Sequence, residues 1–295
     1  MEVLRTPDER FESLPGFDFA PRYLELDGLR LARVDEGEGA PVVFLHGEPT
    51  WSYLWRKVIP PVADAGFRCI APDLPGFGRS DKPADLDWYT YNRHTELVAR
   101  ELEELGVRDA TLVAHDWGGP IGLRIAAERP GVFSRLVVMD TGLFTGRQKM
   151  AEAWHRFRDF VERTEDVPIS MLVRNACATD PGDEVAAAYD APYPEARYKV
   201  GARAFPLILP LRPDDPGGAE GEAAFNRLRE NPLPGLALWA DSDPVLPFEV
   251  GERVAAALGL QPPLKIEGAS HFLQEDQGEE IGRHIAAYLD ETESH

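Results

Sequence analysis

The chain has little cysteine and comparatively few bases. Its 295 residues include only two cysteines, Cys69 and Cys177, far apart in sequence. Two thiols cannot build a disulfide framework, and such sparse use fits a reducing, cytoplasmic compartment. Cys69 lies in an apolar, strand-like run, where a thiol packs as a small hydrophobe. The 31 Lys and Arg are outnumbered by 51 Asp and Glu, for a net charge of −20. A surface of that sign argues against nucleic acid and anionic membranes as partners. No apolar run approaches the roughly 20 residues of a membrane span. The N-terminus, Met1 to Leu14, is charged and lacks an apolar core, so no signal peptide is expected. There is no internal repeat and no low-complexity tract. No phosphate-binding glycine loop follows a strand either, since Gly76-Phe77-Gly78-Arg79 lacks that pattern.

What is present suits a globular α/β chain. Hydrophobic residues make up 43%, enough for a sizeable core, and the length fits one α/β domain with an insertion. Strand patterns fall at Leu29 to Val34, Pro41 to Leu45, Arg68 to Ala71, Ala110 to Ala114, Leu136 to Asp140, Leu236 to Ala240 and Leu264 to Ile266. Helical patterns alternate with them at Asn92 to Leu105, Pro120 to Arg129, Glu249 to Leu258 and Glu279 to Leu289. Such alternation predicts a mostly parallel sheet flanked by helices. It breaks between about Phe144 and Arg212, where short helical patterns and the Tyr/Pro-rich run Tyr189 to Pro194 stand without strands. The stretch 144–213 therefore reads as a helical cap inserted into a core formed by 1–143 and 214–295. The Pro/Gly-rich segment Pro210 to Gly221 reads as the return linker.

The most informative segment is Leu112-Val113-Ala114-His115-Asp116-Trp117-Gly118-Gly119. A short apolar strand stops, and a helical run begins a few residues later. Small-x-nucleophile-x-Gly between a strand and a helix is the nucleophile elbow of α/β-hydrolases. The turn needs small residues because strand and helix backbones approach there; Ala114 and Gly118 fill those places. The nucleophile place holds Asp116, not Ser or Cys. A serine attacking an sp3 carbon would leave an ether, which water does not readily cleave. A carboxylate leaves an ester, whose carbonyl water can attack. The plainer reading of Asp116 is a helix N-cap.

Three further motifs fall beyond the carboxyl ends of strands, where open parallel sheets gather functional groups. His46-Gly47-Glu48-Pro49-Thr50-Trp51 follows the strand ending at Leu45. Asp241-Ser242-Asp243-Pro244 follows Ala240, and Ser270-His271-Phe272 follows Ile266. The order nucleophile, acid, histidine is that of α/β-hydrolases. Singly each is ambiguous: Asp243 before a proline suits a turn, His271 suits a surface loop, and His46 suits structural hydrogen bonding. His115-Asp116 as a metal pair lacks a second cluster at ligand spacing. It is the joint occurrence, in order, that carries weight.

His46 to Arg56, Asp73 to Pro83, Asp116 to Gly119 and Ser270 to Asp276 closely resemble the haloalkane dehalogenases, and so does Tyr189 to Pro194 in the insertion. The resemblance runs over nearly the whole chain. His-Gly-Glu-Pro with tryptophan and a late acid is similar to the first subfamily, in which two tryptophans hold the halide. It implies an α/β-hydrolase fold and hydrolytic dehalogenation of a small apolar haloalkane, without cofactor or metal. Asp116 would be the nucleophile, His271 the base and Asp243 the acid. The backbone N–H groups of Glu48 and Trp117 would hold the oxyanion, and the Glu48 side chain would help position the water. The halide would lie between Trp117 and Trp154, the one tryptophan of the insertion. Monomer or weak homo-oligomer is the expected state.

Two features depart from the family pattern. Asp140 occupies a second place where such hydrolases can carry the acid and where the first subfamily usually has Asn; it is a substitute acid or a half-protonated partner of the triad. Phe144 to Asp166 matches only loosely, and Trp154 lies there. The Asp-Trp-Gly-Gly elbow also occurs in epoxide hydrolases, whose acid would come from cap tyrosines, here Tyr189, Tyr193 or Tyr198. A non-catalytic ligand-binding α/β-hydrolase would be expected to lack a triad member, and none is missing.

Overall fold

The computed structural model describes residues 1–293. The chain opens with the two-residue strand β1 (Val3–Leu4), which pairs with β6 (Lys82–Pro83). Next comes an antiparallel hairpin, β2 (Arg22–Leu26) and β3 (Leu29–Glu36). Its turn is Asp27-Gly28, both at positive φ (51° and 78°), the two-residue geometry that suits strand twist. That dipeptide announces the hairpin, yet β2 has no counterpart among the strands read from periodicity. Arg22–Leu26 is largely exposed at the sheet edge, so it lacks the apolar pattern that marks the inner strands.

The remaining strands of the large sheet are β4 (Pro41–Leu45), β5 (Arg68–Pro72), β7 (Ala110–His115), β8 (Phe133–Met139), β9 (Gly235–Ala240) and β10 (Leu264–Ile266). The order is β10-β9-β8-β7-β4-β5-β3-β2, and the six from β10 to β5 are mutually parallel. All of Ala110–His115 is buried, as expected for a central parallel strand covered on both faces.

Helices separate the strands: α1 (Ile59–Asp64), α2 (Tyr91–Glu104) and α3 (Gly118–Glu128). Thr90 caps α2 by accepting from the Arg93 N–H at 3.1 Å, and Gly106 just beyond it takes φ 66°. After β8 come four helices with no strand between them: α4 (Glu152–Arg163), α5 (Ile169–Asn175), α6 (Asp183–Asp190) and α7 (Val200–Ile208). They form the inserted helical cap. Helix α7 contains Pro206, a residue that breaks isolated helices. Packing sustains it here: Phe205 stacks edge-on against Phe77 and Trp117, with centroids 4.8 and 5.0 Å away. Helices α8 (Gly218–Glu230), α9 (Phe248–Leu258) and α10 (Leu273–Glu293) complete the chain. The segment expected to be a return linker ends inside α8. Only its Pro210 to Gly217 part is irregular, because Gly217 at φ 89° lets the helix start directly after the turn.

Strands β4, β7, β8, β9 and β10 are consecutive neighbours. Their carboxyl ends therefore bring Gly47, Asp116, Asp140, Asp243 and His271 to one edge of the sheet.

Candidate active site

Asp116 occupies the sharp turn between β7 and α3. Its φ is 47°, a left-handed conformation uncommon outside glycine. Close approach explains the glycines around it. A Cβ on Gly118 would stand 2.0 Å from the Leu45 carbonyl oxygen, and one on Gly119 would stand 1.9 Å from Thr141 Oγ1. Gly47 on the β4 loop is equally constrained, since a Cβ there would lie 2.1 Å from Asp116 Oδ1. Its role was not apparent from the His-Gly-Glu-Pro spacing alone.

The Asp116 carboxylate points two ways. Oδ1 accepts from the Glu48 N–H at 2.8 Å, and the Trp117 backbone amide favours the charged carboxylate. Oδ2 faces His271 Nε2 at 3.7 Å. Burial works to raise the Asp116 pKa, but His271, then His115 and the Trp117 amide, hold it below the ordinary carboxylate value.

His271 Nδ1 bonds Asp243 Oδ2 at 2.7 Å. Asp243 is buried, and its other oxygen accepts from the N–H groups of Val245 (2.7 Å) and Leu246 (3.0 Å). Its turn character and its contact with the histidine thus coexist. Burial disfavours charge on His271, yet Asp243 and Asp116 together keep its pKa well above the usual histidine range. His115 Nε2 lies 2.7 Å from the His271 carbonyl. A carbonyl only accepts, so the proton of neutral His115 sits on Nε2. Burial, then the charge of His271, push the His115 pKa down to about 4. His115 thus holds the backbone of His271, a contact that adjacency to Asp116 did not reveal. His46 is structural: Nε2 accepts from the Leu74 N–H at 3.0 Å and Nδ1 faces the Gly47 carbonyl at 2.9 Å.

A cavity of about 640 Å³ opens on Asp116 and is walled by Trp117, Phe144, Trp154, Leu209 and Val245, with Lys149 and Arg253 among its lining residues. Trp117 and Trp154, at sequence positions 37 apart, thus share one chamber. Trp51 and Trp239 spend their indole N–H groups on the carbonyls of Ala188 and Leu246. Among the described residues the indoles of Trp117 and Trp154 have no such acceptor, so their N–H groups are free for a ligand. Glu48 is buried, and its Oε1 has no partner among the described residues. Burial, then the charge of Asp116, raise its pKa well above the usual range.

None of the three cap tyrosines lines this cavity. Tyr189 is buried and donates to Glu275. Glu275 in turn pairs with Arg56 at 2.5 and 2.7 Å. This network ties α6 of the cap to the start of α10, four residues beyond His271.

A strand–turn–helix elbow that carries a carboxylate, with a histidine and a second acid on neighbouring strand ends, defines an α/β hydrolase. A profile of the alpha/beta hydrolase fold matches residues 40–277. The chain is 44% identical to a haloalkane dehalogenase of Mycobacterium marinum, over 98% of this chain and all of that protein. It is 41% identical to one of Psychrobacter cryohalolentis, over 98% of each. A haloalkane dehalogenase of Paraglaciecola agarilytica, described as tetrameric, superposes with a TM-score of 0.89 at 38% identity, covering 96% of this chain and 97% of that one. The chain belongs to the haloalkane dehalogenases, hydrolases that act on carbon–halide bonds.

Proposed function

We propose that Asp116 displaces halide directly and that the resulting ester is hydrolysed with His271 as base. Asp116 attacks the halogen-bearing carbon in line; the carbon–halogen bond breaks and an aspartyl alkyl ester forms. The departing halide takes the indole N–H groups of Trp117 and Trp154, since a bare anion in an apolar chamber is costly. Esterification removes the Asp116 charge, and His271 then gives up a proton to solvent. The neutral imidazole takes a proton from water, which attacks the ester carbonyl carbon. The oxyanion forms at the oxygen that the Glu48 amide already holds, with the Trp117 amide as its second donor. On collapse the alkoxide leaves with the proton from His271 as alcohol, and the new Asp116 carboxyl returns its proton to the ring. Asp243 orients the imidazole and stabilises its charged form. The Glu48 side chain positions the water. No cofactor or metal enters the cycle.

The observation that carries this reading is the divided Asp116 carboxylate, one oxygen at 2.8 Å from the Glu48 amide and the other facing His271. Asp116→Ala is expected to abolish halide release from bromoalkanes while the protein stays folded. A single turnover in 18O-labelled water is expected to leave label in the Asp116 carboxylate. Activity in the alanine variant above a few per cent, or an unlabelled Asp116, overturns the assignment. Epoxide opening is less favoured, because none of the cap tyrosines that would serve as its acid lines this chamber.

We also place the cap at 144–213 and the protein in the cytoplasm, where its two free cysteines are compatible with a reducing environment. Among the described residues no helix is long and apolar enough to cross a membrane. Monomer or weak homo-oligomer remains the proposed state; the tetrameric relative makes light scattering across concentrations the direct check.

A further inference from the structure

One buried carboxyl at the site has no part in the steps above. Asp140 directly follows β8, the strand between β7, which delivers Asp116, and β9, which delivers Asp243. Its φ is 38°, and its carbonyl accepts from the Asp116 N–H at 3.3 Å. The side chain is fully buried. Oδ2 accepts from the Ala240 N–H at 3.2 Å, and Oδ1 has no donor in reach among the described residues. Asp243 is furnished quite differently, with two amides on one oxygen and His271 on the other. One carboxyl is thus equipped for charge and its neighbour is not. Two adjacent buried carboxylates would repel, and an ionised Asp140 would face that repulsion with a single amide for support.

We propose that Asp140 stands in the site as a neutral carboxylic acid whose hydroxyl donates to the Asp243 carboxylate, making it a positioning residue for the Asp243–His271 pair. The inference rests on the reading of Asp243 and His271 as acid and base. A proton on Oδ1 turns an acceptor without donors into a donor. The electrostatics run the same way. Burial, then the charge of Asp243 and the hydrogen bond to it, raise the Asp140 pKa well above the carboxylate range. Asp243 is held below that range against its own burial by His271 and by the bond from Asp140. His271 is the other charged group facing Asp140; it favours ionisation and is outweighed. The bond fixes the Asp243 carboxyl so that Oδ2 meets Nδ1. It also makes Asp140 a latent charge: once Asp243 is made neutral, the main charge keeping Asp140 protonated is gone.

The test compares Asp140→Asn, Asp140→Leu, Asp243→Asn and the double variant D140N/D243N in the full chain. Two quantities are read: the single-turnover rate of ester hydrolysis against pH, and the far-downfield NMR signal of the His271 Nδ1 proton in the resting protein. Asn keeps a donor and is expected to lose no more than about threefold, whereas Leu loses about tenfold or more and shifts the signal. Asp243→Asn is expected to keep a residual rate that rises with pH in two steps, one as His271 loses its proton and one as Asp140 ionises, and the double variant keeps only the first. Leu matching Asn in rate and signal overturns the proposal, and so do identical pH profiles for Asp243→Asn and the double variant. Should Asp140→Leu fail to fold, the second comparison decides. A parent protein that releases no halide would instead defeat the functional reading, and the NMR comparison would still judge Asp140.

Discussion

His271 Nε2 lies 3.7 Å from Asp116 Oδ2, while Nδ1 of the same ring lies 2.7 Å from Asp243 Oδ2. The imidazole stands between two carboxylates, which hold its pKa above the usual histidine range despite its burial. In the proposed cycle only one of those carboxylates would survive alkylation, because the ester of Asp116 is neutral, and the base of the second step would be released by the first.

That relationship sets the pH dependence. Alkylation needs an ionised Asp116, whose pKa lies below the ordinary value, and no free base. Hydrolysis needs a neutral His271, so it slows as pH falls. Rapid-quench measurements should show a halide burst that persists at acid pH while the steady-state rate declines. His271→Phe should stall at the ester, seen by mass spectrometry as protein plus one alkyl group. Burst and steady state falling together would contradict the division of labour.

The two chamber indoles can be separated from mere packing. Trp154→Phe keeps a ring and removes one N–H. A hydrogen bond to a charged group contributes about 1.5–3 kcal/mol, so chloride affinity should drop about 10- to 100-fold. Alkylation should suffer more than ester hydrolysis, and chlorides more than bromides. Trp51 is no substitute donor, because its N–H is bound to the Ala188 carbonyl. Fluorescence titration with chloride reads the first effect; parent-like binding would return Trp154 to cap packing.

Gly47→Ala tests how closely the nucleophile is held. The added Cβ would meet Asp116 Oδ1 at 2.1 Å, so the carboxylate must turn away from the Glu48 amide. A misplacement of about 1 Å can cost roughly 10²-fold in rate. We expect a loss of at least that size in kcat/KM together with a lower Tm, since the added Cβ would also meet Asp116 Cβ at 2.5 Å, a contact that side-chain rotation does not relieve.

Glu275→Gln tests the tie between cap and histidine loop. Glu275 and Arg56 are both buried, and removing one partner of such a pair costs about 3–5 kcal/mol. Burial raises the Glu275 pKa, but Arg56 and Tyr189 outweigh it and hold it below the ordinary value. The pair's contribution is thus present above the unfolded glutamate pKa of about 4.3 and is lost as pH falls through the folded one. Denaturant unfolding should show the parent–variant gap narrowing at acid pH.

Much of this arrangement was written locally. Hydrophobic runs one strand long, such as Val42 to Leu45 and Leu112 to Ala114, can only be buried in a sheet, and the residues where they stop are the residues that meet at its edge. The proposal of Asp116 as nucleophile was legible in the sequence, from an Asp standing in a turn that demands Gly118. Other features have no local trace. Helix α7 tolerates Pro206 because Phe205 packs against Phe77 and Trp117 from distant segments. Helix α8 begins within a stretch whose composition reads as linker. The choice between Asp140 and Asp243 as partner of His271 could not be made from two acids at two strand ends. It was decided by which carboxyl the β9 loop supplies with amides and turns toward Nδ1. Whether Trp154 faces Asp116 or the cap interior depends on how α4 lies over the sheet, and only packing across the whole chain sets that angle.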